Sequence, residues 1–381
     1  MASDPILRLH SSFAFFAVTE SAIELSSNVK NKRFRIDGCR ADVLIDAFKV
    51  LAEGVSAHAA VDQLAKRACV SPCDARYVLD HLRAADALVE RRTDDEALLD
   101  DPTTLYDRQI RFFQLFEDDQ FSGVQFNERL QKRKILLAGV GGLGGWVALM
   151  CDRLGINNIV VVDPDTVELS NLHRQIVYES SDIGKLKVVA CEERLGRISS
   201  NVQIEGHPIN ITKADALKSL LCGCDFVFNP FGYVPHFEEV AHAVAKAAAS
   251  ASVPCLTFSS GLVGPLTVPG KSACYRCASK ILEQQISLSS LMRAGTPIAS
   301  RRSGSEFLPA VAPRQAIAAG IAVWECVKFL SGIQRPRTLD GAIYVDTSDW
   351  ERHTFHTMVP ASDCDVCSSV TTGGFEDLRQ P

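Results

Sequence analysis

The chain has 381 residues, enough for two or three domains. Its 46% hydrophobic and 23% charged residues describe a globular protein with ample core, and a formal net charge of −6 gives no reason to expect a nucleic-acid partner. No apolar run approaches the roughly 20 residues needed to span a bilayer. The N-terminus lacks a secretion signal's layout, so thirteen cysteines point to a reducing cytoplasm rather than a disulfide framework.

Residues 1–92 differ in character from the rest of the chain. Short strands are expected at 13–18, 21–25 and 33–37. A helix comes next over 41–51, where Val43, Leu44, Ala47, Phe48 and Leu51 recur at helical spacing. Further helices are expected over 58–66 and 72–84, the second behind an N-cap at Ser71 with Pro72 at its first position. A closing strand is expected at 88–90. Strands followed by helices suggest a small winged-helix-like module. Its balance of 13 Lys/Arg against 12 Asp/Glu argues against a phosphate-binding face. A peptide clamp, in which an exposed strand edge accepts an extended peptide, is the favoured reading; a plain packing or dimerisation domain is the alternative. An acidic linker spans 93–104.

The chain is organised around residues 134–165. An apolar strand at 135–138 leads into a turn containing Gly139, Gly141, Gly142 and Gly144. A helix over 145–154 comes after it, then a second apolar strand at 159–162 ending on Asp163. Strand, glycine turn, helix, strand and acid make a nucleotide site: the turn approaches a phosphate chain, the helix N-terminus offers free N–H groups, and the acid accepts from ribose hydroxyls. The motif alone fits a dinucleotide or ATP. Asn171, His173, Arg174 and Gln175 lie just beyond, where open α/β sheets bind ligands, and Lys185 and Lys187 open the next helix. Strands at 226–228 and 254–259 flank an alanine-rich helix over 241–251, and a helix over 316–330 packs back on the sheet.

Two C-x-x-C pairs, Cys274/Cys277 and Cys364/Cys367, lie far apart in sequence. Each supplies two thiolates from one short turn, and together they complete a tetrahedral zinc site. Such a site ties the tail to the domain and is structural. Other cysteines, such as Cys151, Cys191 and Cys326, sit on apolar stretches as small core residues. The polar segment 281–310 reads as a mobile crossover over the nucleotide pocket, without a cysteine.

YDRQI (106–110), GVGGLG (139–144), VVDPDTVELSNLHRQ (161–175), Lys187, VPGKSACYRC (268–277) and CDVC (364–367) together resemble the ThiF/MoeB/HesA family of adenylating enzymes, relatives of ubiquitin-activating enzymes. The resemblance covers about 105–367. It implies a homodimeric, Rossmann-like α/β adenylation domain (105–370) with a mostly parallel sheet that binds Mg-ATP and joins a carboxylate to the α-phosphate, releasing pyrophosphate. Residues 371–381 are then a tail. Carried over to this chain, Asp163 holds the ribose, Asn171, Arg174 and Lys187 reach the phosphates, and Arg108 acts from the partner subunit. One position departs from the pattern. Where the family places a Mg²⁺-binding Asp this chain has Gly232, which makes Asp165 the candidate to hold Mg²⁺ and leaves lost adenylation open.

The absence of a cysteine from 281–310 argues against a thioester step. With its N-terminal module, the layout looks most like the branch that modifies ribosomal precursor peptides: a microcin C type that adenylates a peptide C-terminus, and a pantocin type that activates glutamate side chains. The stretches VPGKSACYRC and APRQAIAA (312–319) fit that branch. The expected function is ATP-dependent modification of a precursor peptide in antibiotic biosynthesis. The alternatives are a sulfur-carrier adenylyltransferase of thiamin or molybdopterin type, and a non-catalytic leader-peptide scaffold.

Overall fold

The computed structural model describes residues 5–37, 40–91, 105–118, 120–232, 237–285, 310–339, 341–345, 352–355, 359–361, 363–364 and 366–367. The whole acidic linker (93–104), the bulk of the 281–310 crossover and the tail (371–381) fall outside them. The chain forms two compact units, Met1–Arg129 and Leu130–Pro381.

In the first unit β2 (Ala14–Thr19), β3 (Ala22–Ser27) and β4 (Lys32–Asp37) form an antiparallel meander, and β1 (Ile6–Leu9) lies between β5 (Val55–Ser56) and β6 (Leu88–Arg91) in a second antiparallel sheet. Helix α1 (Ala41–Glu53) buries Leu44, Ala47, Phe48 and Leu51 in a core shared with Ile23, Leu25 and Ile36. The Phe48 ring meets Phe15 edge-on at 5.1 Å. Helices α2 (Ala60–Arg67) and α3 (Pro72–Ala84) complete this core. Ser71 caps α3 by accepting the Asp74 amide at 3.1 Å. β1 and β5 were not expected from sequence: β1 alternates over only four residues and β5 is two residues long.

Compactness divides the chain later than the linker at 93–104 suggests. Helix α4 (Asp107–Phe113), and α5 (Gly123–Gln131) up to Arg129, group with the N-terminal unit. Long-range bonds explain this. Ser11 Oγ donates to the Gln114 carbonyl at 2.8 Å, and Arg91 pairs with Glu117 where both side chains are almost fully buried. His10 Nε2 bonds to the Glu117 carbonyl at 2.9 Å, while its Nδ1 accepts the Ser12 amide at 3.0 Å. Those two partners fix a neutral ring with its proton on Nε2.

Among the described residues the second unit is built on eight strands in the order β14-β13-β12-β11-β10-β7-β8-β9. β7 (Lys134–Ala138), β8 (Asn158–Val162), β9 (Gln203–His207), β10 (Phe226–Asn229) and β11 (Cys255–Phe258) run parallel. β12 (Leu262–Thr267), β13 (Ala342–Val345) and β14 (Arg352–Phe355) extend the sheet antiparallel. Helices α6 (Gly142–Arg153), α7 (Lys187–Ile198), α8 (Glu238–Ser250), α9 (Tyr275–Gln285) and α10 (Ala312–Ser331) belong to the same unit. The inner parallel strands are buried along nearly their whole length, which is why they read as unbroken apolar runs. From β7 the chain steps first to β8 on one side and later to β10 on the other. The order reverses at β7, so a crevice opens beyond its C-terminal end.

Candidate active site

The glycine turn occupies that crevice, and Gly139, Gly142 and Gly144 are each pressed by a different neighbour. Gly139 has a φ of +90°, and a Cβ there would lie 2.7 Å from the Phe231 ring. A Cβ on Gly144 would come within 2.0 Å of the Gly139 carbonyl oxygen, so no side chain fits where α6 begins. Gly141 faces the Gln175 amide, and a Cβ on Gly142 would collide with the Gln315 amide at 2.2 Å.

Asp163 comes directly after β8 and is locked to the turn. Its Oδ2 accepts the Val140 amide at 2.9 Å and its Oδ1 the Asp165 amide at 3.0 Å. Each oxygen keeps a lone pair for a further donor. Burial raises the Asp163 pKa, opposed by the nearby Lys187 ammonium. Lys187, the first residue of α7, is itself buried and donates to Asp165 Oδ2 at 2.6 Å. Tyr178 donates its hydroxyl to the Val140 carbonyl at 2.8 Å and so braces the turn from beneath.

Asn171 and Arg174 stand on the loop after β8. Asn171 is buried and occupied locally: its Oδ1 accepts the Glu168 amide at 3.1 Å and its Nδ2 donates to Ser170 Oγ at 3.3 Å. Arg174 Nη1 donates to the Ser170 carbonyl at 2.6 Å, and the guanidinium has no carboxylate ion pair among the described residues. Burial lowers its pKa against the nearby Glu168 carboxylate, which raises it, and an anionic ligand would add to that support. The structure thus gathers Gly139, Gly141, Gly142, Gly144, Asp163, Asp165 and Lys187 at one end of the parallel strands. Arg108 belongs to the other unit, on α4, with a 99% exposed side chain.

Gly232, which replaces the expected acid, lies against β11. A Cβ there would sit 2.6 Å from Thr257 Cγ2 and 3.2 Å from the Phe258 amide nitrogen. Asp165 is 62% exposed and already faces Lys187, so it has room for a cation while its charge is partly neutralised.

The four cysteines of the C-x-x-C pairs converge, with all sulfurs within 4.8 Å of one another. Cys274 and Cys364 sulfurs are 3.5 Å apart and those of Cys277 and Cys367 3.4 Å. Tetrahedral zinc with Zn–S near 2.3 Å needs sulfurs roughly 3.8 Å apart, so this set fits the metal. At Cys364 burial opposes the thiolate, but the amides of Val366 and Cys367 together with the Cys274 and Cys277 thiols bring its pKa down to about 7. Cys151, Cys191 and Cys326 are fully buried core residues, and burial pushes the Cys191 thiol up to about 12.

Sequence reasoning assigned no role to Phe231, Tyr178, Gln175 or Gln315. Gln175 stood out as a polar residue after a parallel strand and as the end of VVDPDTVELSNLHRQ, and Gln315 only as part of APRQAIAA, just ahead of the helix expected over 316–330.

Fold and glycine turn define a nucleotide-binding class of α/β protein, and comparison with known proteins narrows it to an adenylating one. The ThiF family model matches residues 106–366, and the chain belongs to the ThiF family. It is an ATP-dependent adenylating enzyme. It is 28% identical to the sulfur carrier protein ThiS adenylyltransferase of Escherichia coli over 270 residues, covering 69% of this chain and 94% of that protein. Among solved structures, Escherichia coli MccB with ATP superposes with a TM-score of 0.71 at 19% identity, over 95% of this chain and 99% of that one. PaaA superposes with a TM-score of 0.56 at 24% identity, over 66% of this chain and 82% of that one.

Proposed function

We propose that this enzyme adenylates a carboxylate of a ribosomally made precursor peptide, held by the N-terminal unit, in the biosynthesis of a peptide antibiotic. The observation that carries the reading is β2. Among the described strands it borders β3 alone, is exposed along most of its length, and leaves Phe16 46% and Val18 43% exposed. An open edge with alternate apolar side chains suits an extended peptide added as a fourth strand. Support comes from MccB, whose fold likeness spans nearly this whole chain and which has been solved in complex with N-formylated MccA.

In the proposed reaction a carboxylate oxygen of the peptide attacks the α-phosphorus of ATP. The new P–O bond forms as the bond to the β-phosphate oxygen breaks, and pyrophosphate leaves with that electron pair. Lys187 and Arg174 supply positive charge to the phosphates, Asp163 positions the ribose, and Asp165 would help hold the Mg²⁺ that accompanies ATP. The exposed Arg108 is offered to a second copy of the chain as a further cation. Cys274, Cys277, Cys364 and Cys367 would hold zinc, which would tie chain segments together and stay outside the chemistry.

A second reading, adenylation of a sulfur-carrier protein, is favoured by the likeness to the ThiS enzyme. Incubation with Mg-ATP and either the peptide encoded beside its gene or a carrier ending in Gly-Gly decides between them. Peptide-dependent pyrophosphate release with a changed peptide mass supports the first; release with the carrier alone supports the second. Tight peptide binding without turnover of ATP would establish a scaffold instead.

A further inference from the structure

Gln175 and Gln315 share an unusual situation. Both side chains are more than nine-tenths buried, at 4% and 8% exposure. Both carry a carbonyl oxygen, Oε1, with no hydrogen-bond partner among the described residues. Both face consecutive glycines at the start of α6. Gln175 Nε2 lies 3.6 Å from where a Cβ of Gly141 would stand, and a Cβ on Gly142 would be within 2.6 Å of the Gln315 amide carbon, oxygen and nitrogen. A buried amide left unpaired costs stability unless something else pairs it. Two of them at the N-terminus of one twelve-residue helix are placed to meet a shared ligand.

We propose that Gln315, with Gln175 beside it, is a phosphate-positioning residue: the two amides turn their N–H groups onto the polyphosphate of the bound nucleotide, alongside the free amides of the glycine turn. The proposal rests on the adenylation reading. An anion is the occupant that suits the place, because the α6 N-terminus carries the positive end of the helix dipole and unbonded N–H groups. Neither amide oxygen is held by a hydrogen bond among the described residues, so none has to break for the rotation that presents N–H to the ligand. It also gives Gly142 its reason. A side chain there would occupy the space of the Gln315 amide, so the glycine makes room for a ligand group carried by α10, far away in sequence. Neutral donors grip phosphate without adding charge to a site already holding Lys187 and Arg174.

The test is calorimetric titration of the full chain, as wild type, Gln315→Ala and Gln315→Glu, with the α,β-methylene analogue of ATP plus Mg²⁺ and with adenosine as control. Expected are a five- to tenfold weaker analogue affinity in the Ala variant, at least tenfold further weakening in the Glu variant through repulsion, and unchanged adenosine affinity. Melting temperature should hold or rise in the Ala variant, since an unpaired buried amide is removed. Unchanged analogue affinity with a lowered melting temperature assigns Gln315 to packing and overturns the proposal. Tighter, Mg²⁺-dependent binding in the Glu variant puts a cation rather than phosphate at the amide and overturns it too. A wild-type chain that binds no analogue instead removes the adenylation reading on which the proposal stands.

Discussion

Lys187 Nζ donates to Asp165 Oδ2 at 2.6 Å while lying 3.9 Å from Asp163 Oδ1, so one buried ammonium serves both acids after β8. Mg-ATP entering the crevice would compete for each member of this trio: phosphate for the lysine, metal for Asp165, ribose for Asp163.

Lys187→Ala should therefore remove turnover without removing the fold. Losing one preorganised charge from such a site lowers rates by about 10²–10³-fold. Pyrophosphate release should fall by that factor while circular dichroism stays superimposable on wild type. A variant that unfolds would reassign Lys187 to the core.

The buried His10 should make stability depend on acid. Burial chiefly lowers its pKa, from 6.5 to about 4, against the Glu117 carbonyl bond that raises it. The folded chain then binds fewer protons than the unfolded chain between those values. Its contribution is fully present above pH 6.5 and is lost as pH falls towards 4, a loss on the order of 3 kcal/mol. His10→Gln keeps an N–H for the Glu117 carbonyl but cannot titrate. Urea melts at pH 7.5, 6 and 5 should show about 2 kcal/mol of that loss by pH 5 in wild type and a much shallower one in the variant; parallel declines would contradict it.

Cys364→Ser should act on stability. The four sulfurs close a loop between segments ninety residues apart, Cys274 to Cys364, and metal affinity at such a site is coupled to folding. Expected are loss of stoichiometric zinc and a lower melting temperature, with the wild type matching that drop after chelation. Unchanged melting with full zinc would refute the shared site.

Gly232→Asp should not restore a metal-binding acid. Its Cβ would stand 2.6 Å from Thr257 Cγ2, so the side chain enters only by moving β11. Overpacking of this kind costs about 1–3 kcal/mol. Denaturant melts should register that cost with no gain in apparent Mg²⁺ affinity during turnover. A stable variant needing less Mg²⁺ would show that the site kept room for the carboxylate.

Much of this was legible in sequence because local rules decided it. Ala138 to Asp163 carries its own strand, turn, helix and acid, and Ser71–Pro72 announces its helix. The paired C-x-x-C spacings foretold the cluster that Cys274 and Cys364 form across the chain. The hidden part depends on pairings no local pattern encodes. β12–β14 extend the sheet antiparallel, and β12 is buried at all six positions, without the alternation that marks a hairpin strand. The turn's neighbours Phe231 and Gln315 arrive from distant segments, and only a collision at Gly139 or Gly142 reveals them.

The central claim is peptide-dependent adenylation, and pyrophosphate release measures it directly. With Mg-ATP and the precursor peptide, the wild type should release pyrophosphate in proportion to peptide modified, and Lys187→Ala should release about a hundredfold less. Release that ignores the peptide, or that Lys187→Ala leaves unchanged, would contradict it.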